Sequence, residues 1–246
     1  MRTPRRGTIP PVGAEPEPRV AVVVAARNES ERIGATLDAL ANAFAEAQIW
    51  VADDASSDGT AEVAMRHGAR VVSRGRPHGK GANVTAACEA MLSAPDTPSV
   101  VLLCDADLGA SAARLPALVD SVTDGECDLA TAAFARRVGG GLGLAVGFAR
   151  RAIRRACGFD ARAPISGQRA MGPEVLRDVL PFAAGFGMET GMTIDAVRAG
   201  HRVCEIELDL EHRATGRTLG GFLHRAGQLR DIRRAARARR GGTPPG

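Results

Sequence analysis

Residues 20–29 read VAVVVAARNE, a run of seven apolar residues, four of them valine, followed directly by polar ones. An apolar run without polar alternation is typical of a strand that is buried on both faces, as in a parallel sheet. The next segment, 30–46, repeats its apolar residues at helical spacing on one stripe. The first organised part of the chain is therefore predicted to be a buried strand followed by a helix.

Strands and helices continue to alternate after this unit. The sequence predicts further strands at 48–53, 69–73 and 99–104, and helices at 58–67 and 82–92. Asp58 is of a residue type that caps helices, and we expect it to begin the helix at 58–67. Alternating strands and helices indicate a mostly parallel sheet with helices on both faces, so we expect an α/β, Rossmann-like fold.

The second half of the chain is less regular. We expect strands at 128–134 and 202–210, a flexible loop at 139–143, and helices at 144–157, 174–179, 189–199 and 219–240. The proline-rich residues 1–19 lack apolar periodicity and are predicted to be a disordered leader. The predicted organisation is this leader, one domain over 20–217, and a basic amphipathic helix and tail over 218–246.

Composition excludes several classes of protein. Hydrophobic residues make up 45% and charged residues 24% of the 246 residues, as in an ordinary soluble domain. The apolar runs are shorter than the roughly 20 residues that a membrane span needs, so no membrane-spanning segment is expected. The five cysteines are scattered and form no Cys-x-x-Cys pair, so neither a disulfide framework nor a structural zinc site is expected. This cysteine usage favours a reducing, cytoplasmic location.

Two common nucleotide-binding motifs are missing. The turn after the first strand contains no Gly-x-Gly-x-x-Gly, and Gly79-Lys80-Gly81 lacks the rest of a P-loop. Dehydrogenases and P-loop NTPases are therefore disfavoured. A sugar nucleotidyltransferase would also need a glycine-rich phosphate loop after the first strand, and is disfavoured for the same reason. Lys80 still stands out, because it is the one lysine among 32 lysine and arginine residues.

Polar clusters follow three of the predicted strands. They are Asn28-Glu29 after the first strand, Asp53-Asp54 at the end of the second, and Asp105-x-Asp107 after the fourth. Ligands of open α/β sheets bind at the carboxyl ends of the strands. Two carboxylates at such an end suit hard cations such as Mg²⁺ or Mn²⁺. An isolated Asp-x-Asp is more often a solvated turn, but here the preceding buried strand favours a binding site.

Four ordered segments resemble the family-2 nucleotide-sugar glycosyltransferases of GT-A fold. They are VAVVVAARNESERI at 20–33, VADDASSDGTAEVA at 51–64, RGRPHGKGANVTAA at 74–87 and LLCDADLGAS at 102–111. Further on, VLPFAAGFGMETGMTID at 179–195 and LEHRATGR at 210–217 look most like glucosyl-3-phosphoglycerate synthases and their mannosyl relatives. APISGQRAMGPEVL at 163–176 is similar to polyprenyl-phosphate glycosyltransferases, although Gln168 replaces an aromatic common there.

The resemblance implies a metal-dependent transfer of a hexose from a nucleotide sugar, with UDP-glucose expected first. The acceptor would be a small phosphorylated molecule such as 3-phosphoglycerate, or a polyprenyl phosphate. The implied nucleotide-sugar-binding residues are Ala26, Asn28, Glu29, Asp53, Asp54, Lys80, Asp105 and Ala106. The implied catalytic residues are Glu189 and Asp105, the acceptor-binding residues are Gly167, Gln168 and Arg169, and the ligands for Mn²⁺ or Mg²⁺ are Asp107 and His212.

Each of these roles has a simpler alternative. Glu189 could be a carboxylate that stabilises a helix N-terminus, an effect of about 0.3–1 kcal/mol. Lys80 and His212 could be ordinary surface residues, and Asp53 could be a helix cap. The resemblance favours the functional role in each case.

A nucleic-acid-binding module is the alternative of another class. The pI near 9.1 favours it, but aromatic residues make up only 3% and tyrosine is absent, so stacking surfaces are scarce. The positive charge is also concentrated in one segment, since residues 218–246 contain seven arginines and a single acidic residue, Asp231. An enzyme with a basic C-terminal helix fits better. That helix is expected either to bind an anionic membrane surface or to pack on the domain. The sequence is also compatible with a homodimer.

Overall fold

A seven-stranded sheet forms the centre of the computed structural model, which describes residues 18–134, 143–210 and 219–239. The strands are β1 (Val20–Ala26), β2 (Gln48–Asp53), β3 (Arg70–Ser73), β4 (Val100–Asp105), β5 (Leu129–Phe134), β6 (Arg169–Met171) and β7 (Val203–Leu208). The helices are α1 (Ile33–Ala43), α2 (Thr60–Arg66), α3 (Lys80–Leu92), α4 (Pro116–Thr123), α5 (Gly143–Cys157), α6 (Pro173–Val179), α7 (Met188–Arg198) and α8 (Leu219–Ala238). Short 3₁₀ helices cover Gly109–Arg114 and Gly185–Gly187.

The strand order brings the predicted site to one edge of the sheet. The order is β3-β2-β1-β4-β6-β5-β7, and β6 alone in this sheet runs antiparallel to its neighbours. In the register of the central strands, Ala26 pairs with Asp53, and Ala25 pairs with Asp105. The carboxyl ends of β1, β2 and β4 therefore lie side by side.

Alternating side chains of β1 and β4 build a core on each face of the sheet. Val22, Val24 and Leu102 pack on one face with α1, α2 and α4. Val23 and Leu103 pack on the other face with α3, α6 and α7. Because both faces are covered, the strands need continuous apolar runs, which is the pattern that the sequence shows.

The predicted α/β fold is confirmed, and β1 and β2 have the predicted bounds. Asp58 acts at the predicted helix start: its Oδ1 accepts a hydrogen bond from the Thr60 N–H at 3.1 Å, although Gly59 holds the N-cap position. Hydrogen bonds, first of all from the Thr60 side chain, lower the pKa of Asp58 to about 2. The sequence did not predict α4 or β6. β6 is only three residues long, and it begins with a buried arginine.

The structure departs from one expectation, which concerns the cysteines, and leaves the expectations about the leader, the 139–143 loop and the domain boundary largely without a test. Cys127 and Cys204 are joined by a disulfide, a pair that the sequence analysis, which expected no disulfide framework, did not predict. Residues 1–17 of the predicted leader at 1–19, residues 139–142 of the predicted loop at 139–143, and the predicted domain boundary at 217 lie outside the described residues. Gly143 is the first residue of α5 and not part of a loop. The division into 20–217 and 218–246 therefore stays a proposal.

The described part of α8 packs on the domain. Ile232 is buried against Ala145 and Ala149 of α5, and the Arg239 guanidinium forms an ion pair with Asp195 of α7 at 2.5 Å. This arrangement agrees with the packed alternative for the C-terminal helix. The side chains of Leu219, Phe222, Leu223 and Leu229, also assigned to its apolar stripe, lie outside the described residues. Over 18–134, 143–210 and 219–239, no helix combines the length and apolar character needed to cross a membrane.

The two-sided core predicts a large cost for truncating a central strand. Leu102 of β4 has no exposed surface, so Leu102→Ala should lower the free energy of unfolding by about 2–5 kcal/mol. Met65 is 56% exposed, so Met65→Ala should change it by less than about 0.5 kcal/mol. Urea denaturation followed by circular dichroism measures both, and equal effects would contradict the assignment of Leu102 to the core.

Candidate active site

The Lys80 ammonium lies between two carboxylates at the carboxyl edge of the sheet. Its Nζ is 2.6 Å from Asp105 Oδ1 and 2.8 Å from Glu189 Oε1. The Lys80 side chain is 23% exposed, and that of Glu189 only 5%. Three predicted site residues, which are far apart in the sequence, therefore meet in one partly buried cluster.

Each member of the cluster is placed by the end of a secondary-structure element. Asp105 is the last residue of β4, Lys80 is the first of α3, and Glu189 lies in the first turn of α7. Gly81 allows α3 to approach the segment before α7, because a Cβ there would lie 2.0 Å from the Ala183 carbonyl oxygen. A side chain at this position would push the two segments apart.

The charge of Lys80 is stabilised by its partners. Burial lowers the pKa of Lys80, but the negative charges of Asp105 and Glu189, and the hydrogen bonds that Lys80 donates to both, raise it above its usual range overall. Because its pKa is raised, Lys80 is positively charged at neutral pH and keeps its charge even above its usual pKa near 10.5. The site therefore contains a positively charged side chain, held in place by two carboxylates, at neutral pH.

Asp54 organises the loop that leads to Lys80. Its Oδ1 accepts hydrogen bonds from the His78 N–H at 2.7 Å and the Gly79 N–H at 3.1 Å, and from the Asn83 amide. Arg27 forms an ion pair with the other carboxylate oxygen at 3.4 Å. The predicted site residue Asp54 is only 5% exposed, and its carboxylate oxygens already bind protein groups. Asp54 therefore stabilises the loop.

The two carboxylate oxygens of Asp53 differ in their hydrogen bonding to the described residues. Oδ2 accepts hydrogen bonds from the Ser56 N–H at 3.2 Å and the Ser73 hydroxyl at 3.1 Å. Oδ1 is buried and has no hydrogen-bond partner among the described residues. A buried acceptor of this kind is costly unless something donates to it. Asp53 therefore has acceptor capacity at the end of β2.

The turns after β1 and β2 are connected by hydrogen bonds. The Asn28 N–H donates to the Ser56 hydroxyl at 2.9 Å, and the Glu29 N–H donates to the Thr60 hydroxyl at 2.9 Å. Asn28 has a φ of 53°, a left-handed conformation that asparagine tolerates better than most residues. These bonds fix the turn that contains the predicted nucleoside-binding residues.

The Asp105-x-Asp107 turn is held by α1 and β1. The Ala106 N–H donates to the Ala25 carbonyl at 3.1 Å, and the Ala106 carbonyl accepts from the Thr36 hydroxyl at 2.7 Å. Asp107 follows on this braced turn and is half-buried. Local backbone bonds thus present both carboxylates at the sheet edge.

Asp105 and Asp107 are the residues of this turn that are suited to holding a cation. No group of three His, Cys, Asp or Glu residues that could hold a metal occurs among the described residues. The predicted third ligand, His212, lies outside those residues. Mg²⁺ is commonly held by one or two carboxylates together with substrate phosphates, so Asp105 and Asp107 fit such an ion in type and number.

The segment 166–168, which contains two of the residues predicted to bind the acceptor, contacts the cluster. The Gln168 amide donates to Asp105 Oδ2 at 2.8 Å, and the Ser166 hydroxyl donates to Gln168 Oε1 at 3.1 Å. Gly167 lies directly over the cluster, since a Cβ there would be 2.6 Å from Asp105 Oδ2 and 2.7 Å from Lys80 Nζ. Gly167 and Gln168 therefore contact the Lys80–Asp105 pair, and their role in binding the acceptor stays a prediction.

Arg169 differs from its neighbours. It is 1% exposed, its Nε donates to the Ser166 carbonyl at 2.9 Å, and its Nη1 donates to the Thr193 hydroxyl at 2.9 Å. The prediction that the Arg169 guanidinium binds an anionic acceptor directly does not fit this burial, because the side chain has almost no exposed surface. Sequence reasoning identified Arg169 but missed Thr193, Thr36 and Asn83, which are ordinary helix residues without a local motif.

Comparison with known proteins agrees with this geometry. The family model "Glycosyl transferase family 2" matches residues 21–172, and the chain belongs to this family. The glycosyltransferase AglJ of Haloferax volcanii is 32% identical over 74% of this chain, a match that spans only 59% of AglJ itself. An uncharacterized glycosyltransferase of Mycobacterium tuberculosis is 34% identical, covering 81% of this chain and 88% of the relative. The protein is thus a glycosyltransferase.

Other relatives carry more specific names. A dolichyl-phosphate hexose transferase of Haloferax volcanii is 29% identical over 82% of this chain and 87% of its own. Among solved structures, glucosyl-3-phosphoglycerate synthase from Mycobacterium tuberculosis, in complex with Mn²⁺, UDP and phosphoglyceric acid, has a TM-score of 0.74 at 26% identity. That comparison covers 92% of this chain and 80% of the synthase chain. The same synthase with Mg²⁺ and UDP has a TM-score of 0.73 at 28% identity.

The close approach of Gly167 predicts a functional effect without a large loss of stability. In Gly167→Ala, the new methyl group must displace Lys80 or Asp105, so kcat/KM for the best nucleotide sugar should fall about tenfold or more. The clash involves side-chain ends, so Tm should stay near that of the wild type. Gly172→Ala is the matched control, because a Cβ there has no neighbour within 4 Å. Equal kcat/KM in both variants would show that the Lys80–Asp105 geometry is dispensable.

Proposed function

We propose that this protein transfers a hexosyl group from a UDP-sugar, UDP-glucose first, to a phosphorylated acceptor, and that it needs Mn²⁺ or Mg²⁺. The observation that carries the proposal is the Lys80–Asp105–Glu189 cluster at the carboxyl edge of the sheet. In such sheets this edge is the ligand-binding edge. The solved synthase structures, which contain UDP and either Mn²⁺ or Mg²⁺, support the donor and the cation.

The donor nucleotide would bind along the ends of β1 and β2. Asp53 Oδ1 has acceptor capacity there, which suits the N–H of a uracil base. Ala26, Asn28 and Glu29 would line the nucleoside, on the turn that the hydrogen bonds to Ser56 and Thr60 hold in place. Asp54 would act indirectly, through the loop that it organises.

The diphosphate would lie beside Lys80 and Asp105-Ala106-Asp107. The fixed charge of Lys80 would attract it, because a compact ammonium suits an anionic diphosphate. Asp107, with Asp105 and His212, would hold the cation, which neutralises charge on the departing diphosphate when bound. Asp105 would also contact the ribose or the sugar.

Glu189 would act on the acceptor side of the sugar. Its carboxylate is almost fully buried and is oriented by Lys80, so it can accept a hydrogen bond from an acceptor hydroxyl or from the sugar. In an inverting reaction this group would remove the acceptor proton, and in a retaining one it would position the reactants. The resemblance to the synthases favours retention.

A small phosphorylated acceptor such as 3-phosphoglycerate is the first candidate. The solved synthase contains phosphoglyceric acid, and α8 packs its described apolar side chains on the domain rather than leaving them for a membrane. Gly167 and Gln168 would line the acceptor. A polyprenyl phosphate is the second candidate, because a relative is named a dolichyl-phosphate hexose transferase. In that case, exposed arginines of α5 and α8 would provide peripheral membrane contact.

A donor screen tests the proposal. Release of nucleoside diphosphate is measured across UDP- and GDP-sugars, with Mn²⁺ or Mg²⁺, and with 3-phosphoglycerate, polyprenyl phosphate or no acceptor. We expect the highest rate with UDP-glucose and 3-phosphoglycerate, and loss of that rate with EDTA. A rate that rises only with polyprenyl phosphate supports the second candidate, and no release from any donor contradicts the proposal.

Asp107→Ala in the same assay should abolish metal-dependent turnover and weaken UDP binding in Mn²⁺, since a carboxylate ligand is lost. Calorimetry measures the UDP affinity independently of turnover. Asp96→Ala is the matched control, because Asp96 is an exposed carboxylate in the connection before β4, at the opposite end of that strand. If Asp107→Ala bound UDP in Mn²⁺ as tightly as Asp96→Ala, Asp107 would not be a ligand.

A further inference from the structure

Arg169 is a charged residue in the interior of the sheet. It begins β6, where it pairs with Leu103 of β4 and Thr131 of β5, and it is 1% exposed. Its Nη2 has no hydrogen-bond partner among the described residues. Burying a guanidinium that is only partly satisfied is costly, so an apolar residue would serve the core better. The position of Arg169 therefore calls for a reason other than core packing.

The two bonds of Arg169 connect both sides of the candidate active site. On one side, Nε donates to the carbonyl of Ser166, whose segment continues to Gln168 and so to Asp105. On the other side, Nη1 donates to the Thr193 hydroxyl, and that hydroxyl donates to the carbonyl of Glu189 at 3.1 Å. One planar guanidinium thus joins the segment that contacts Asp105 to the helical turn that carries Glu189.

The charge of Arg169 is maintained in this environment. Burial lowers its pKa to about 10, while the negative charges of Glu189 and Glu205 oppose that shift. Arg169 is therefore protonated at neutral pH, and its positive charge interacts with the negative charge of the buried Glu189. The Lys80 ammonium also interacts with this carboxylate, at 2.8 Å.

We propose that Arg169 is a positioning residue, which fixes the first turn of α7 against the 166–168 segment and so holds Glu189 at its distance from Lys80 and Asp105. This inference rests on the proposed function, in that Glu189 acts on the reacting sugar or acceptor. In this role Arg169 acts through Ser166 and Thr193 and not by direct contact with donor or acceptor. Thr193 is the relay, because its hydroxyl is the link between the guanidinium and the Glu189 backbone.

The experiment compares two pairs of variants. Arg169→Met removes the charge and both hydrogen bonds, whereas Arg169→Lys keeps the charge and loses the planar two-sided geometry. Thr193→Val removes the relay hydroxyl at nearly constant volume, whereas Thr193→Ser keeps it. Steady-state kinetics with the best donor and acceptor give kcat and both KM values. Amide hydrogen exchange of 188–193, with α6 as the internal reference, reports on the helical turn without any turnover.

We expect Arg169→Met and Thr193→Val to lower kcat about tenfold to a hundredfold, with both KM values within about twofold of wild type. Arg169→Lys should be intermediate, and Thr193→Ser should restore most of kcat. Exchange of 188–193 should accelerate in Arg169→Met and Thr193→Val while α6 is unchanged. If Arg169→Met fails to fold, the Thr193 pair decides by itself.

Three results would overturn the inference. A raised acceptor KM with normal kcat in Arg169→Met, and no effect of Thr193→Val, would make Arg169 an acceptor-binding residue. Lower Tm with normal kcat per folded molecule would make it a structural residue only. Unchanged exchange at 188–193 would exclude positioning even in the absence of activity. If the wild type turned over no donor, the proposed function would fail, and the exchange data would still test the positioning.

Discussion

The contact of the Lys80 ammonium with Asp105 and Glu189 is the constraint on which the site depends. It joins the end of β4, the start of α3 and the first turn of α7, three segments that approach each other only in the folded chain. Removing one partner of a buried ion pair costs roughly 3–5 kcal/mol, because the other charge stays buried. The surrounding structure is arranged to keep all three charges together.

Two kinds of local feature maintain that arrangement. Asp54 gathers the backbone N–H groups of the loop before Lys80, and Thr36 braces the turn after Asp105. Gly81 and Gly167 permit contacts that a side chain would prevent. These features come from both halves of the chain. The site is therefore complete only when α7 is packed on the sheet that contains β4.

The sequence predicted the elements of the fold better than the partners within the site. The sequence located β1 and β2 to the residue, and it placed acidic residues at the ends of neighbouring strands, where the structure brings Asp53 and Asp105 to the same edge of the sheet. The sequence did not predict that Lys80 meets Glu189, since the two are 109 positions apart and no periodicity links them. It misjudged Arg169 because an arginine is normally exposed, and it missed the Cys127–Cys204 disulfide because pairing depends on the packing of β7 beside β5.

The central claim is that Lys80 and Glu189 work as one unit, and a double-mutant cycle tests it most directly. Lys80→Met, Glu189→Gln and the double variant are compared by kcat/KM for the best donor, converted to transition-state free energies. If the two groups orient each other, the double variant should lose about as much as the more damaging single variant. Losses that add to within about 0.5 kcal/mol would show two independent groups and contradict the account.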